Sequence, residues 1–485
     1  MRIVKKYVFT FLLIAIAAAS ALAQAAEGES DYLTWQTHKV SASADSNTAK
    51  PFIIRKVIIT GNRKTKENII RRELPFMEDE QYQLPVLVEK FAIARRQLMN
   101  TALFHDAVVS LKSMEGYDVD VLVHVSERWY LFPIPYFKPV DRNINQWLIE
   151  QNASLDRVDY GIKLLYNNAT GRNDKLNLWL INGYNKQAIL NYDRLYIDKR
   201  MKWGFNMGIK MGKNHEVNYA TIGNKQVFYK DPDTYIRSFL NVNAELTYRK
   251  AIKTRHHFGV AYNEEKVNDT VVALNASYYK TNYNRIRVPE VYYKMVFFDV
   301  DYIPYPLKGH MAELSFSKKG FGGSIDAWEI SAKAGASWPV ANKTWTSVKA
   351  AAGIKFPFSQ PYINQRMLGY RDFFMQGYEY YVMDGAAAGY IKASVTREVV
   401  HFNIRSVSSK IKQGNIPFRV FVKAYVNAGY AHHPHPGPNP LNNKMLYSAG
   451  MGIDIITFYD FILKIEWSFN QLGENGVYLH RKSYY

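Results

Sequence analysis

From residue 129 onward, apolar and polar residues alternate with a period of two over segments of about ten residues, the pattern of a strand with two different faces. Val420, Val422, Ala424 and Val426 share one face, and Arg419, Lys423, Tyr425 and Asn427 share the other. Phe461, Leu463, Ile465, Trp467 and Phe469 oppose Lys464, Glu466, Ser468 and Asn470, and Leu176, Leu178 and Leu180 oppose Asn177 and Trp179. The connections alternate too. Short ones around Gly171, Arg200, Lys308 and Asn342 separate long ones at 138–158, 215–233 and 360–387. This rhythm predicts sixteen antiparallel strands, roughly 22 residues per strand and connection, with short turns at one end and long loops at the other. Such a dyad suits a transmembrane β-barrel, apolar toward lipid and polar toward the lumen. A pair of soluble β-sandwiches or a propeller is the competing architecture. A sandwich of this length calls for more strictly apolar inner faces and shorter loops, so the barrel is preferred.

The region before residue 129 reads differently. Arg2, Lys5 and Lys6 precede an apolar run from Val8 to Ala19, and Ala21-Leu22-Ala23 offers a small-residue cleavage site, so residues 1–23 read as a signal peptide. Residues 24–51 are small and polar and read as a flexible lead. Phe52 to Thr60 is a β-branched strand ended by the turn pair Gly61-Asn62. Thr65 is placed to cap a short helix over residues 66–72. A second helix over 84–100 has Leu87, Phe91, Ala94 and Leu98 on one stripe, and strands at 107–111 and 119–125 follow. Strand, helix, helix, strand, strand makes a small α+β domain over 52–128, ahead of a barrel over 129–485.

Composition sharpens this picture. The 36 Tyr, 26 Phe and 9 Trp supply the aromatic girdles that a membrane barrel carries at its interfaces. No stretch is long and apolar enough for a membrane helix. The absence of cysteine excludes disulfides, thiolate metal sites and cysteine nucleophiles. The formal charge of +19, less three after loss of residues 1–23, is spread along the chain. It suits anionic lipid headgroups or lipopolysaccharide better than nucleic acid. His432, His433 and His435 have the residue type of a zinc site, but four prolines interrupt their loop and no acid or thiol completes it, so a solvated loop with no metal is expected. No catalytic or cofactor motif is present, and no cofactor or enzymatic activity is expected.

Several residues point further. Ile58-x-x-Gly61-Asn62-x-x-Thr65, Ile70-x-Arg72-Glu73-Leu74, Leu98 with Leu103-Phe104, and the closing Val125-x-Glu127 resemble a POTRA domain, the periplasmic module of outer-membrane assembly and transport proteins. The resemblance implies that an exposed strand edge of this module pairs with extended clients. Between the eleventh and twelfth predicted strands, Met375-Gln376-Gly377-Tyr378 and Asp384-Gly385 resemble the sixth outer loop of BamA/TamA-type proteins, which folds into the lumen with a (Val/Ile)-Arg-Gly-(Phe/Tyr) motif. Glutamine stands at the arginine position. Arg128-Trp129, Asp156-Arg157 with Tyr160-Gly161, and Gly450-Met-Gly452-Ile-Asp454 add to the likeness, which covers residues 52–485 and is closest in type to single-POTRA members from the Bacteroidetes lineage.

The resemblance implies that the 360–385 loop plugs the lumen, with Gln376 facing Asp454, Glu466 or both. A neutral amide cannot neutralise a carboxylate, so Arg371 or Arg366 is expected to supply the missing charge. It also implies a bacterial outer-membrane location with the POTRA domain in the periplasm, and unfolded outer-membrane proteins as clients, with periplasmic chaperones or lipoproteins as further partners. An assembly or translocation factor is thus the leading reading, a passive or selective pore the second, an outer-membrane enzyme the third. The last strand, about 476–485, carries His480, Arg481 and Lys482 and looks weakly patterned, so a short, openable seam with the first strand, about 130–137, is expected. Protease added to intact cells is expected to cut within 215–233 or 432–443 and to spare 52–128; cleavage at the short connections instead overturns this topology.

Overall fold

The computed structural model describes residues 50–140, 152, 154–198, 202–249, 252–323, 325–370, 373–405, 415–457 and 460–480. The proposed signal peptide, most of the lead, Arg371 and the end of the last strand lie outside the described residues.

The first unit is built on β1 (Phe52–Thr60), α1 (Glu67–Arg71), the two-residue β2 (Gln81–Tyr82), α2 (Leu84–Asn100), β3 (Phe104–Glu115) and β4 (Asp118–Glu127). The sheet order is β2-β1-β4-β3, with β1 and β4 parallel and the other pairs antiparallel. β4 is central because its Val119, Val121, Val123 and Val125 all lie on the buried face. Leu87, Ala94 and Leu98 of α2 cover it, and Ile54, Ile69, Ile70 and Phe104 complete the core. Each such burial stabilises by about 1.5–3 kcal/mol. The turn after β1 needs its glycine: Gly61 has φ +87, and a Cβ there would fall 1.9 Å from the Val125 carbonyl oxygen. Asn62 Nδ2 donates to the Thr65 carbonyl at 3.1 Å, and the Glu127 carboxylate accepts from the amides of Lys64 (3.0 Å) and Thr65 (2.6 Å). The outer edge of β3 is unpaired within this sheet.

The second unit is one antiparallel sheet of sixteen strands. In chain order these are β5 (Leu131–Pro139), β6 (Val158–Asn167), β7 (Lys175–Gly183), β8 (Lys186–Tyr196), β9 (Trp203–Asn214), then, after an outer hairpin of β10 (Glu216–Ile222) and β11 (Lys225–Lys230), β12 (Arg237–Tyr248) and β13 (Thr254–Val267). A one-turn α3 (Asp269–Leu274) precedes β14 (Arg285–Val300), β15 (Gly309–Lys319), β16 (Ala327–Ala341) and β17 (Thr344–Phe356). A small hairpin of β18 (Arg366–Leu368) and β19 (Met383–Asp384) then leads to β20 (Ala387–Arg405), β21 (Asn415–His432), β22 (Met445–Thr457), β23 (Phe461–Asn470) and β24 (Asn475–His480). Each of the sixteen pairs with its sequential neighbour in the sheet. The dyad holds: Trp467 is 42% exposed while its neighbours Glu466 and Ser468 are buried. The sheet curls until Arg128, just before β5, pairs with Asp460, between β22 and β23, at 2.7 Å.

Two local expectations change. Thr65 does not cap α1: Lys66 is the N-cap, without a side-chain bond. The Thr65 hydroxyl is instead drawn into the junction with the barrel, 3.1 Å from Tyr130 Oη and accepting from Asn168 Nδ2 at 2.9 Å. And β24 is not weakly patterned where described: Val477 and Leu479 face outward at 68% and 70% exposure, while Tyr478 and His480 turn inward. Among the described residues no ladder joins β24 to β5.

The POTRA-like unit seats against several short turns at once. Lys66 N donates to Gly171 O in the β6–β7 turn at 2.9 Å. Arg72 Nη2 donates to Tyr196 Oη at 3.0 Å, and Asn100 Nδ2 to the carbonyl of Val300 at 3.3 Å. The strongest tie is Glu73, 2% exposed, whose two oxygens accept from Arg249 Nη1 (2.6 Å) and Nη2 (2.8 Å) beyond β12. Burial pushes the Glu73 carboxyl up, but the Arg249 guanidinium, with Arg72 beside it, outweighs this and holds it at about 2, below its ordinary 4.5. A carboxyl with a depressed folded value stabilises above its unfolded value. That contribution, about 3 kcal/mol, is lost as pH falls from about 4.5 toward 2. We therefore expect a disulfide between cysteines placed at Lys66 and Arg172 to form readily at neutral pH. Glu73→Gln should weaken it strongly, because Arg249 and Arg72 are then left facing a neutral group.

Candidate functional site: the lumenal loop and its charge cluster

The connection between β17 and β20, residues 357–386, turns into the barrel rather than away from it. Its neck is the β18–β19 hairpin, with Arg366 opposite Asp384 and Leu368 opposite Met383. Tyr370 Oη donates to Asp384 Oδ1 at 2.7 Å, and Asn442 Nδ2 of the β21–β22 loop donates to the Asp384 carbonyl at 2.5 Å. Leu368, Met375, Tyr378 and Met383 are buried together with Tyr390, Leu441 and Leu446. Asn224, at the tip of the β10–β11 hairpin, closes over the loop from outside. Its carbonyl accepts from Val382 N at 2.8 Å, and its side chain reaches Val382 O and Asn442 Oδ1.

Of the four expected motif residues, Gln376, Gly377 and Tyr378 lie together on the wall, and Asp384 stays at the neck. Gly377 has φ +88 and sits so close to the wall that a Cβ would meet Ser448 Cβ at 3.0 Å and Phe469 O at 3.3 Å, so only glycine fits unstrained. Asn470 Nδ2 donates to its carbonyl at 2.9 Å. Tyr378, 2% exposed, donates through Oη to the Tyr447 carbonyl at 3.0 Å. Ser448 Oγ donates to the Gln376 carbonyl at 2.6 Å. The Gln376 side chain lines a lumenal cavity shared with Lys423, Asp454, Tyr425 and Lys392, and its Oε1 makes no hydrogen bond to the protein.

Asp454 and Glu466 do face inward and are each 1% exposed. The cation described beside them is not Arg366. Arg366 stays at the loop neck, its guanidinium 5.8 Å from the Tyr370 ring, and Arg371 lies outside the described residues. Lys423 of β21 takes the role, its Nζ 2.7 Å from Asp454 Oδ1 and 2.5 Å from Glu466 Oε1. It spans two strands because Gly452 lies between: register aligns Lys423 with Gly452 and Gly452 with Glu466. A Cβ at 452 would come within 3.2 Å of both side chains. The same device recurs one step along, where Tyr425 passes over Gly450 to meet Ser468 Oγ at 2.6 Å. The alternating Gly450, Gly452 and Asp454 thus let β21 reach β23 across a bare stretch of β22.

Further members escaped sequence reasoning. Tyr305 Oη, from the β14–β15 turn, donates to Asp454 Oδ2 at 2.8 Å. His480 Nδ1 lies 2.6 Å from Glu466 Oε2, and its Nε2 lies 3.7 Å from Glu379 Oε1 on the loop. Glu379 in turn accepts from the Gly377 amide at 2.8 Å. The last strand, the barrel wall and the loop are therefore joined through one imidazole. Lys423 was visible as an inward residue by alternation; its pairing across Gly452 was not.

Residues 52–128 match the POTRA family, described as the surface antigen variable number repeat. An 81-residue stretch is 33% identical to the outer membrane protein assembly factor BamA of Neorickettsia risticii, covering 17% of this chain and 10% of that protein. Residues 52–128 thus belong to the POTRA family, and they are followed directly by the sixteen antiparallel strands. The chain spans about a tenth of the length of the curated relative it matches. Among solved structures, BamA from Haemophilus ducreyi lacking POTRA domains 1–3 is similar at TM-score 0.49 and 14% identity, over 89% of this chain and 83% of that one. CdiB from Acinetobacter baumannii is similar at TM-score 0.47 and 12% identity, over 87% and 71%.

The charge cluster yields a direct test. Lys423→Met leaves Asp454 buried without its cation and Glu466 with only the His480 imidazole, and such a break is worth about 3–5 kcal/mol. The temperature at which the folded barrel loses its anomalous gel mobility should fall markedly. In an Asp454→Asn, Glu466→Gln background the same substitution should shift it far less, since no buried charge is then orphaned.

Proposed function

We propose that this protein is an assembly or translocation factor of the bacterial outer membrane, not an enzyme. Residues 1–23 are the signal peptide and 24–51 a flexible lead. The POTRA domain, 52–128, stands in the periplasm before the barrel of residues 129–485. Unfolded outer-membrane proteins are the clients, delivered with the help of periplasmic chaperones or lipoproteins. They are engaged by the free edge of β3 and by the seam between β5 and β24, while the basic surface contacts lipid and lipopolysaccharide.

One observation carries this reading. The lumen is occupied by its own loop, held by Gly377, Tyr378 and the Lys423 cluster, while among the described residues no ladder joins the first and last strands. A filled lumen suits neither wide passive diffusion nor a substrate pocket, whereas an unladdered seam offers backbone groups to a strand arriving from the periplasm or the bilayer. Gln376, Gly377, Tyr378 and Asp384 serve in this reading as the loop's docking residues, with Asp454 and Glu466 as their lumenal partners, and Gly61 and Asn62 shape the POTRA turn.

Depletion followed by proteomics of the outer membrane tests the assignment. Loss of outer-membrane proteins from the membrane fraction is the expected result; broad loss marks a general insertase and loss of a few a dedicated factor. An unchanged proteome with altered small-solute uptake points to the pore.

A further inference from the structure

Strand register carries one row of side chains across the ends of five neighbouring strands. Lys186 of β8 lies opposite Lys213 of β9, Lys213 opposite Ser238 of β12, Ser238 opposite Lys266 of β13, and Lys266 opposite Arg285 of β14. Residues two apart share a face of a strand, so the next rows fix which way this one points. The second row contains Met211, Glu264 and Arg287, and the third contains Leu190, Ile209, Val242 and Tyr262. Met211 and the four residues of the third row are exposed on the outer wall of the barrel. The cationic row therefore borders the lipid-facing band. It lies at the end of the barrel away from the POTRA unit, which seats on the β6–β7 turn at the opposite end of the same wall.

Like charges directly opposite each other on a sheet repel, and this row sets Lys186 against Lys213 and Lys266 against Arg285. Tyr235 answers part of the first pair, with both Nζ atoms 5.7 Å from the centre of its ring. Glu264 answers part of the second. Its Oε1 accepts from Arg285 Nη2 at 2.5 Å, and its Oε2 accepts from Arg287 Nε at 3.3 Å and from Tyr262 Oη at 3.1 Å. Each guanidinium has five N–H donors and gives one to Glu264, which leaves a forked face for a second anion. Among the described residues no carboxylate pairs with Lys186, Lys213 or Lys266. Five cations thus share one acid on this flank. The corresponding ends of β20, β21 and β22, residues 387–391, 428–432 and 445–449, hold no lysine or arginine.

We propose that this row is a binding surface for the phosphate groups of outer-leaflet lipid, whose acyl chains lie on the apolar residues beneath it. The proposal rests on the outer-membrane reading above and gives its lipid contact a place on the barrel. Arg285 and Arg287 supply planar forks that match phosphate, and the lysines supply point charge. At about 4.8 Å per strand the row runs about 19 Å from Lys186 to Arg285, wider than one phosphate. It therefore takes several phosphates at once, as a headgroup phosphorylated at both ends or a line of neighbouring lipids presents them. The flank from β8 to β14 is held to the outer leaflet in this way, and the flank of β20 to β22 is not.

The test uses the full protein in detergent micelles, with bound lipid counted by native mass spectrometry. The probes are lipid A carrying two phosphates, the same lipid dephosphorylated, and inorganic phosphate. The phosphorylated lipid is expected to bind, the dephosphorylated one about tenfold more weakly, and inorganic phosphate is expected to leave the bound lipid in place. Lys266→Gln with Arg285→Gln should weaken binding of the phosphorylated lipid about thirtyfold, the effect of two cations beside an anionic surface. Lys186→Gln with Lys213→Gln, at the other end of the row, should act in the same direction. Lys56→Gln with Lys112→Gln removes the same charge from the POTRA surface and should change nothing. All six side chains are exposed, and gel mobility reports whether each barrel has folded. Equal binding of the dephosphorylated lipid overturns the proposal, as does an equal loss in the POTRA pair or no bound lipid at all. Displacement by inorganic phosphate overturns it too and marks an adventitious ion only. Each of these failures leaves the assembly function standing, because the depletion experiment reads that function separately.

Discussion

A strand in hydrocarbon has no water to satisfy its N–H and C=O groups, and everything in this barrel answers to that constraint. Fifteen consecutive antiparallel pairings discharge it from β5 through to β24. Among the described residues two edges remain, and they are chemically unlike. One is stripped of donors by Pro133, Pro135 and Pro139; the other keeps both kinds of group. Proline is tolerated on an edge strand only where the missing N–H faces away from the ladder, and here the parity of β5 puts all three on that side. The odd positions of β5 are thus poor in donors along the seam.

The lumen follows a second rule, that buried charge is tolerated only when paired. Two carboxylates from neighbouring inner faces are brought together by the β22–β23 register, and a single lysine from β21 reaches both because Gly452 offers no side chain in between. The loop docks on this wall through shape at Gly377, hydrogen bonds at Tyr378 and Asn470, and the approach of Glu379 to His480. Glutamine at position 376 is compatible with this arrangement for that reason.

The POTRA unit and the barrel are joined by polar contacts spread over several turns, with Glu73 as the buried centre. A charged latch suits a contact made between separately folded units, because a carboxylate and a guanidinium remain well solvated when the units part. The residues shared between the junction and the POTRA turn, Thr65 above all, couple the domain's own fold to its seating on the barrel.

The period-two alternation by itself determined the sixteen strands, their inward and outward faces and the alternation of long and short connections, since lipid and lumen impose opposite polarity on successive residues. The spacing of Leu87, Phe91, Ala94 and Leu98 likewise announced α2, because a helix buries one stripe. Gly61, Gly377, Asp454 and Glu466 could be singled out on one line of residues. What they touch could not. That Lys423 pairs with both carboxylates depends on the register of three strands. That Thr65 leaves α1 for Tyr130 and Asn168 depends on how two units meet. That His480 links Glu466 to Glu379 depends on where a loop from another part of the chain comes to rest. Periodicity is local and survives in the sequence; pairing across strands and between units is set by registry and docking, which only the folded chain decides.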